Sequence, residues 1–178
     1  MTEEYFDILN SDGTYSGNVA SRKECHEKGL WHRAVIIFVI NKEGKILLQK
    51  RSANKKMWPN LWDLTAGGHV LTGELGYQAI IREAKEELNL DVKKEELTYV
   101  GSFISEDVKP NIINRHFNEF FIIEKDVNIN DITLQEEEVQ DIRWFTKEEI
   151  FKKIDNNYDG ITDKKACWAY LKKYLELK

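Results

Sequence analysis

Residues Gly67 to Leu90 read GGHVLTGELGYQAIIREAKEELNL. A Gly-Gly pair opens the stretch, Glu74 follows, and an apolar-periodic run ends in Arg82-Glu83-x-x-Glu86-Glu87. Tyr77, Ile80, Ile81, Ala84 and Leu88 recur at spacings of three and four, which predicts an amphipathic helix from about Glu74 or Leu75 to Leu88. Asn89 tolerates the left-handed conformation that ends a helix. Glu83, Glu86 and Glu87 stand at i, i+3 and i+4 and share another face, where like charges repel by roughly 0.2–0.5 kcal/mol per neighbouring pair. Hard cations such as Mg²⁺ or Mn²⁺ would offset that repulsion, because they take carboxylate oxygens and bridge to phosphates. Arg82 is placed to pair with one acid and orient it. Gly67-Gly68 lets backbone approach a ligand and frees a carbonyl as a hard ligand, and Glu74 adds a fourth acid. On its own, a segment like Glu83–Glu87 reads as a solvated acidic face. Its flanks turn the reading toward a divalent-metal site acting on a diphosphate.

Working outward, Tyr5–Leu9 and Tyr15–Val19 read as a strand pair across the turn Asn10-Ser11-Asp12-Gly13. Ser21 with Glu24 forms a capping box for a short helix ending near Gly29. Trp31–Ile40 is a continuous β-branched and aromatic run, the pattern of a strand buried on both faces. Lys45–Arg51 returns as its hairpin partner, a loop follows to Asn60, and Leu61–Ala66 reads as a strand entering Gly67-Gly68. Leu97–Ser105 and Arg115–Glu124 are strands around a polar loop with Pro110, and Val139–Phe145 is another. Thr146 with Glu149 caps a helix to about Ile154, and a last helix spans about Thr162–Leu177. This order predicts one α/β domain over 1–178, a mixed sheet covered by helices. Residues 1–30 form an N-terminal hairpin and helix extension, and 147–178 the C-terminal helices.

The 178 residues suffice for one core. A net charge of −5 argues against a non-specific nucleic-acid binder. The acidic N-terminus is not a signal peptide, and Ala34–Ile40, the longest apolar run, is far short of the ~20 residues of a membrane helix. Cys25 and Cys167 read as reduced thiols, with a single disulfide as the alternative. A cytoplasmic protein is expected. Its partner would be a small-molecule diphosphate, with no nucleic acid and no membrane; a homodimer stays open.

The pattern Gly68-x5-Glu74-x7-Arg82-Glu83-Ala84-x-Glu86-Glu87-x-Asn89-Leu90 resembles the Nudix box, G-x5-E-x7-R-E-U-x-E-E-x-G-U with U aliphatic. Ala84 is a small U, Asn89 replaces the terminal Gly, and every charged position matches. The resemblance implies an α/β/α sandwich with a mixed sheet, and a Mg²⁺- or Mn²⁺-dependent hydrolase of nucleoside diphosphate derivatives. Glu83, Glu86 and Glu87 would be metal ligands or base and the Gly67 carbonyl a further ligand, with Gly68, Glu74 and Arg82 supporting the box. A later-strand acid often assists in such proteins, and Glu119 is the candidate here.

A wider resemblance, over roughly residues 5 to 150, is to type I isopentenyl-diphosphate isomerases. It rests on Cys25-His26 through His32-Arg33, Leu47 to Arg51, Lys55-Lys56-x-Trp58-Pro59-x-Leu61-Trp62 and Gly68-His69. Those enzymes use a cysteine before the box Gly, a later glutamate, and a metal held by three histidines and two glutamates. The cysteine position here is Gly67, one glutamate of the pair is lost at Phe117-Asn118-Glu119, and the histidine positions are His26, His32 and His69. Gly67 has no proton to give, so hydrolysis is preferred to isomerisation and to a non-catalytic binding module. With the glutamate partner missing, His26, His32 and His69 are read as ordinary polar or half-buried histidines rather than a second metal site, and His116 has no role. Arg51 and Lys55 match the positions that hold the diphosphate. Trp58 and Trp62 are read as core and loop anchors rather than stacking platforms.

Overall fold

The computed structural model describes residues 3–110 and 112–177. Asn111, within the expected Pro110 loop, and Met1, Thr2 and Lys178, at the ends of the expected domain, lie outside the described residues. Strand β3 (Trp31–Ile40) is the centre of a mixed sheet and is buried from Ala34 to Ile40, as a strand covered on both faces must be. Along one edge it pairs in parallel with β8 (Ile112–Glu124), from Trp31 opposite Arg115 to Ile40 opposite Glu124. Strand β7 (Thr98–Lys109) continues that side, antiparallel to β8. Three strands share the other edge. β1 (Tyr5–Leu9) meets Trp31, β6 (Ala66–His69) meets Ala34–Ile37, and β4 (Ile46–Arg51) meets Val39 and Ile40. β1 then pairs with β2 (Tyr15–Ser21), and β4 with β5 (Trp62–Asp63) and β9 (Val139–Phe145).

Helix α2 (Gly76–Leu88) covers one face of the sheet, over Val35, Ile37, Val39, Leu47 and Phe121. Helices α3 (Lys147–Asp155) and α4 (Lys165–Glu176) cover the other, where Trp168 packs with Ile36, Phe38, Leu48 and Phe120. This is the expected α/β/α layering. The N-terminal pair β1–β2 and helix α1 (Arg22–Lys28) carry a small core of their own, Phe6, Ile8, Ala20 and Cys25. Ser21 caps α1 by accepting the Glu24 N–H. Both cysteines are free and buried. No described helix is long and apolar enough to cross a membrane.

Three expectations shift. The single strand expected over Leu61–Ala66 is two short strands, because the chain crosses from β4 to β3 between them. At the crossing, the Thr65 hydroxyl accepts the Val39 N–H and donates to the Leu47 carbonyl, in place of a ladder bond. The Pro110 loop is shorter than expected, since β7 and β8 stay paired until Lys109 faces Ile112. The last helix starts at Lys165 rather than Thr162, because the Thr162 N–H is taken by the Trp62 carbonyl and its hydroxyl by Asp63.

Candidate active site

Helix α2 begins one residue after Leu75, whose N–H is capped by the Gln78 side chain. It ends at Asn89, φ 51°, where the Leu90 N–H reaches back to the Ala84 carbonyl at 3.1 Å in a Schellman closure. Two glycines allow its close approach. A Cβ on Gly68 would intrude into the Glu83 carboxylate, and one on Gly76 into that of Glu119. The three box acids do not share one environment. Glu83 and Glu87 turn toward β6 with side chains 13% and 6% exposed, while Glu86 is 53% exposed.

Arg82 organises this end of the helix. It donates to both Glu74 oxygens at 3.1 and 3.0 Å, to Glu83 at 2.8 Å and to Glu86 at 3.2 Å. A further bond, 2.9 Å to the His69 carbonyl, ties β6 to the helix. Glu74 also accepts the Leu71 N–H, so the loop and α2 share one guanidinium. The sequence placed Arg82 against one acid; the structure places it against three.

Glu87 accepts from the Gly67 N–H at 3.2 Å and from Gln49 Nε2 at 3.3 Å. In an antiparallel ladder a residue's N–H and C=O point to the same side. The Gly67 carbonyl therefore lies on the edge of β6 that faces Glu87. Burial pushes the Glu87 carboxyl up to about 8, and the Glu83 charge adds to that push. Burial likewise raises Glu83, with Arg82 opposing. One buried and one partly buried carboxyl, mutually repelling beside an edge carbonyl, form an oxygen-only donor set that fits a hard divalent cation.

Glu138 also presses on Glu87 electrostatically, and sequence reading missed it. The loop before β9 is docked onto this site: the Gln135 N–H donates to the Glu87 backbone carbonyl and the Ser52 N–H to that of Glu138, both at 2.9 Å. Lys55 then pairs with the Glu138 carboxylate. Arg51 donates to Asp63 at 3.2 Å and to the Met57 carbonyl at 3.1 Å. Lys164 holds the same Asp63 at 2.6 Å. Burial works against ionisation of Asp63, but Lys164 and Arg51 outweigh it and hold the carboxyl below its usual range. Both expected diphosphate-binding cations thus reach the site, each already matched by a carboxylate.

Glu119 is not brought to Glu87. In register it follows Val35, which faces Gly68, so it stands two strands from Gly68, roughly 10 Å. Its neighbour is Arg33 at 3.8 Å, which also bonds the Glu74 carbonyl. Trp62 packs on Phe145, centroids 5.0 Å apart, as the expected anchor. Trp58 adopts φ 51° and lines an open cavity of about 540 Å³ with Lys56, Met57 and Lys109.

A NUDIX domain model matches residues 30–164. The chain belongs to the Nudix family. An uncharacterized Nudix hydrolase of Listeria monocytogenes is 37% identical over 147 residues, covering 83% of this chain and 82% of that one. One from Clostridium acetobutylicum is 35% identical over 164 residues, covering 90% and 79%. Among solved structures, a Deinococcus radiodurans protein superposes with TM-score 0.73 at 20% identity, over 94% of this chain and 97% of that one, which shows the shared fold. The protein is a Nudix pyrophosphate hydrolase, a family that generally uses divalent cations.

The raised Glu87 gives a pH dependence. Folded Glu87 keeps its proton to about 8, whereas the unfolded group titrates near its ordinary 4.5. The stability this contributes is fully present below 4.5 and is lost as pH rises to about 8. Its slope is at most about 1.4 kcal/mol per pH unit. The depressed histidines described below act oppositely, but only below the unfolded value of 6.5. Chelator-treated protein should therefore lose urea stability between pH 6.5 and 8, and Glu87→Gln should flatten that loss. Equal slopes in parent and variant would refute the assignment.

Proposed function

We propose that this Nudix hydrolase cleaves the diphosphate bond of a nucleoside diphosphate derivative or a related small metabolite, with Mg²⁺ or Mn²⁺ held by Glu83, Glu87 and the Gly67 carbonyl. The observation that carries the reading is the pair of Glu87, buried, and Glu83, partly buried, against the outer edge of β6. Among the described residues its carboxyls have no ion pair beyond the Arg82 that Glu83 shares, Arg51 acts on Glu87 only electrostatically, and Glu86 stands at the exposed rim as an outer ligand. When bound, the cation supplies neutralisation of phosphate charge and activation of water for attack at phosphorus. Arg82 and Gln49 keep the two carboxylates oriented. Arg51 and Lys55 bind the diphosphate. An entering phosphate that draws Lys55 away releases the Glu138 carboxylate beside Glu87, where it serves as the base in the role expected of Glu119. Glu119 instead holds Arg33 under the start of α2.

The isomerase alternative is less well supported. Gly67 has no side chain to donate a proton, and a Cβ built there would sit 2.5 Å from the Val35 carbonyl oxygen, so this backbone does not admit the cysteine. A binding module without catalysis would not need the full acid set. The test is a panel of nucleoside diphosphate derivatives, dinucleotides and prenyl diphosphates, incubated with Mg²⁺ or Mn²⁺ and analysed for products. Release of a nucleoside monophosphate or phosphate is expected from at least one class. No release from any class with either ion would overturn the reading.

A further inference from the structure

Four histidines from four elements meet at the base of the N-terminal extension: His26 of α1, His32 of β3, His69 of β6 and His116 of β8. One ring nitrogen from each lies within 4.8 Å of all the others. Ring centroids are 4.7 Å apart for His32–His116 and 6.4 Å for His26–His116, with the other four pairs between. Parallel pairing puts His32 directly beside His116, and His69 faces Ala34, whose small side chain leaves the centre open. His26 and His69 are half-buried as the sequence suggested, His116 is half-buried as well, and His32 is fully buried. The isomerase resemblance offers His26, His32 and His69 as metal-ligand positions, a reading set aside above for want of the glutamate partner; the entry of His116 was not foreseen.

The rings are not engaged with one another as a stacked core would be. All six pairs are tilted or edge-on, at angles of 32° to 84°. Phe6 closes one side, lying nearly parallel to His32 and His69 at 5.0 and 4.7 Å. The Nε2 atoms of His26, His32 and His116 are buried without a hydrogen-bond partner. His32 Nδ1 lies 2.8 Å from the Leu30 carbonyl, so it carries the proton and leaves Nε2 as a lone pair. That is the orientation seen for metal-ligating imidazoles. Burial holds all four neutral at pH 7. Arg22, which bears on all four, is paired with Glu4 at 2.7 Å, and Lys164, which bears on His116, with Asp63 at 2.6 Å.

We propose that His26, His32, His69 and His116 form a second metal site, which binds one borderline transition ion of the Zn²⁺ type and clamps α1 onto the core. The donor set is nitrogen only. It therefore excludes Mg²⁺, which requires oxygen, and suits Zn²⁺, Co²⁺ or Ni²⁺. A tetrahedral ion with bonds of about 2.0–2.1 Å draws such nitrogens to roughly 3.4 Å apart, so occupancy pulls the rings inward. The site lies one residue beyond Gly68, on the strand that faces Glu83 and Glu87. An ion here fixes that strand without sharing a ligand with the carboxylate site.

The test uses full-length protein stripped with a chelator and then given excess Mg²⁺ to fill the carboxylate site. Zn²⁺ is expected to bind at one ion per chain and raise the melting midpoint. Co²⁺ is expected to give the intense visible bands of a tetrahedral nitrogen site. His26→Asn and His116→Asn should each weaken Zn²⁺ binding by more than the roughly 10- to 100-fold that loss of a supporting partner costs. Glu87→Gln should leave Zn²⁺ stoichiometry unchanged. If wild-type protein retains no Zn²⁺ against Mg²⁺ and shows no tetrahedral Co²⁺ spectrum, the cluster is a packed polar core and the proposal fails. It also fails if both histidine variants fold by circular dichroism and still bind Zn²⁺ as wild type does.

Discussion

Glu87→Gln is expected to lower kcat by about 10²- to 10⁴-fold on whatever diphosphate the protein turns over. The same change should leave the metal-free protein at pH 8 at least as stable as the parent. These effects separate because the carboxyl is 6% exposed and keeps its proton to about 8 without metal. Glutamine matches its volume, and its amide oxygen can still accept from the Gly67 N–H and Gln49. It cannot become the anionic ligand that a hard cation requires. Steady-state rates with Mg²⁺ and Mn²⁺, beside urea curves in chelator, read both parts. Near-parental turnover would remove Glu87 from the site. A large loss of stability together with activity would make its role structural.

Arg82→Met should destabilise the fold by about 3–5 kcal/mol, because removing one partner strands the others. For a chain of this size that lowers the melting midpoint by roughly 6–20 °C. Glu74 and Glu83 are 15% and 13% exposed, and Arg82 is their shared cation. Methionine retains much of the stem's packing, so the loss reports the guanidinium. Lysine should recover little, because Glu74 is held by two parallel N–H bonds from Nε and Nη2. Mg²⁺ should restore more stability to this variant than to the parent, since the ion replaces part of the lost positive charge. Thermal melts of both proteins with and without Mg²⁺ decide it. A drop under 1 kcal/mol (about 0.1–0.2 of the total stability typical of a domain) would mean that the network is solvated.

What was legible in the sequence follows from range. β1, β3 and β9 begin and end where hydrophobic pattern and turn residues place them. The caps at Ser21, Thr146 and Asn89 are present because capping is a matter of a few neighbouring residues. The split at Leu64-Thr65 was not legible, since it depends on a hydroxyl bonding two strands distant in sequence. At the site, the spacing of Glu83 and Glu87 gave their shared direction, but it could not show that Glu86 is exposed. Glu138 sat unmarked in an acidic run, because only the docking of Gln135 and Ser52 aims it at Glu87. Glu119 stands two strands across the sheet from Gly68 with Arg33 at 3.8 Å, a placement that its own strand pattern does not carry. His116 needed the β3–β8 register to join the other histidines, and no local pattern carries that.

That register has a kinetic meaning as well. Residues 31–40 pair with 115–124 only after the whole intervening chain has looped back, and pairing so remote in sequence is slow to form because closure entropy is spent before any contact repays it. Side chains alternate across the sheet, so a slip of one residue would exchange Glu119 and Phe121 for Asn118 and Phe120 on the α2 face. One late pairing event therefore sorts the α2 face from the histidine face. Until it closes, β3 is an apolar strand with an open edge, and the nascent chain is then most exposed to aggregation.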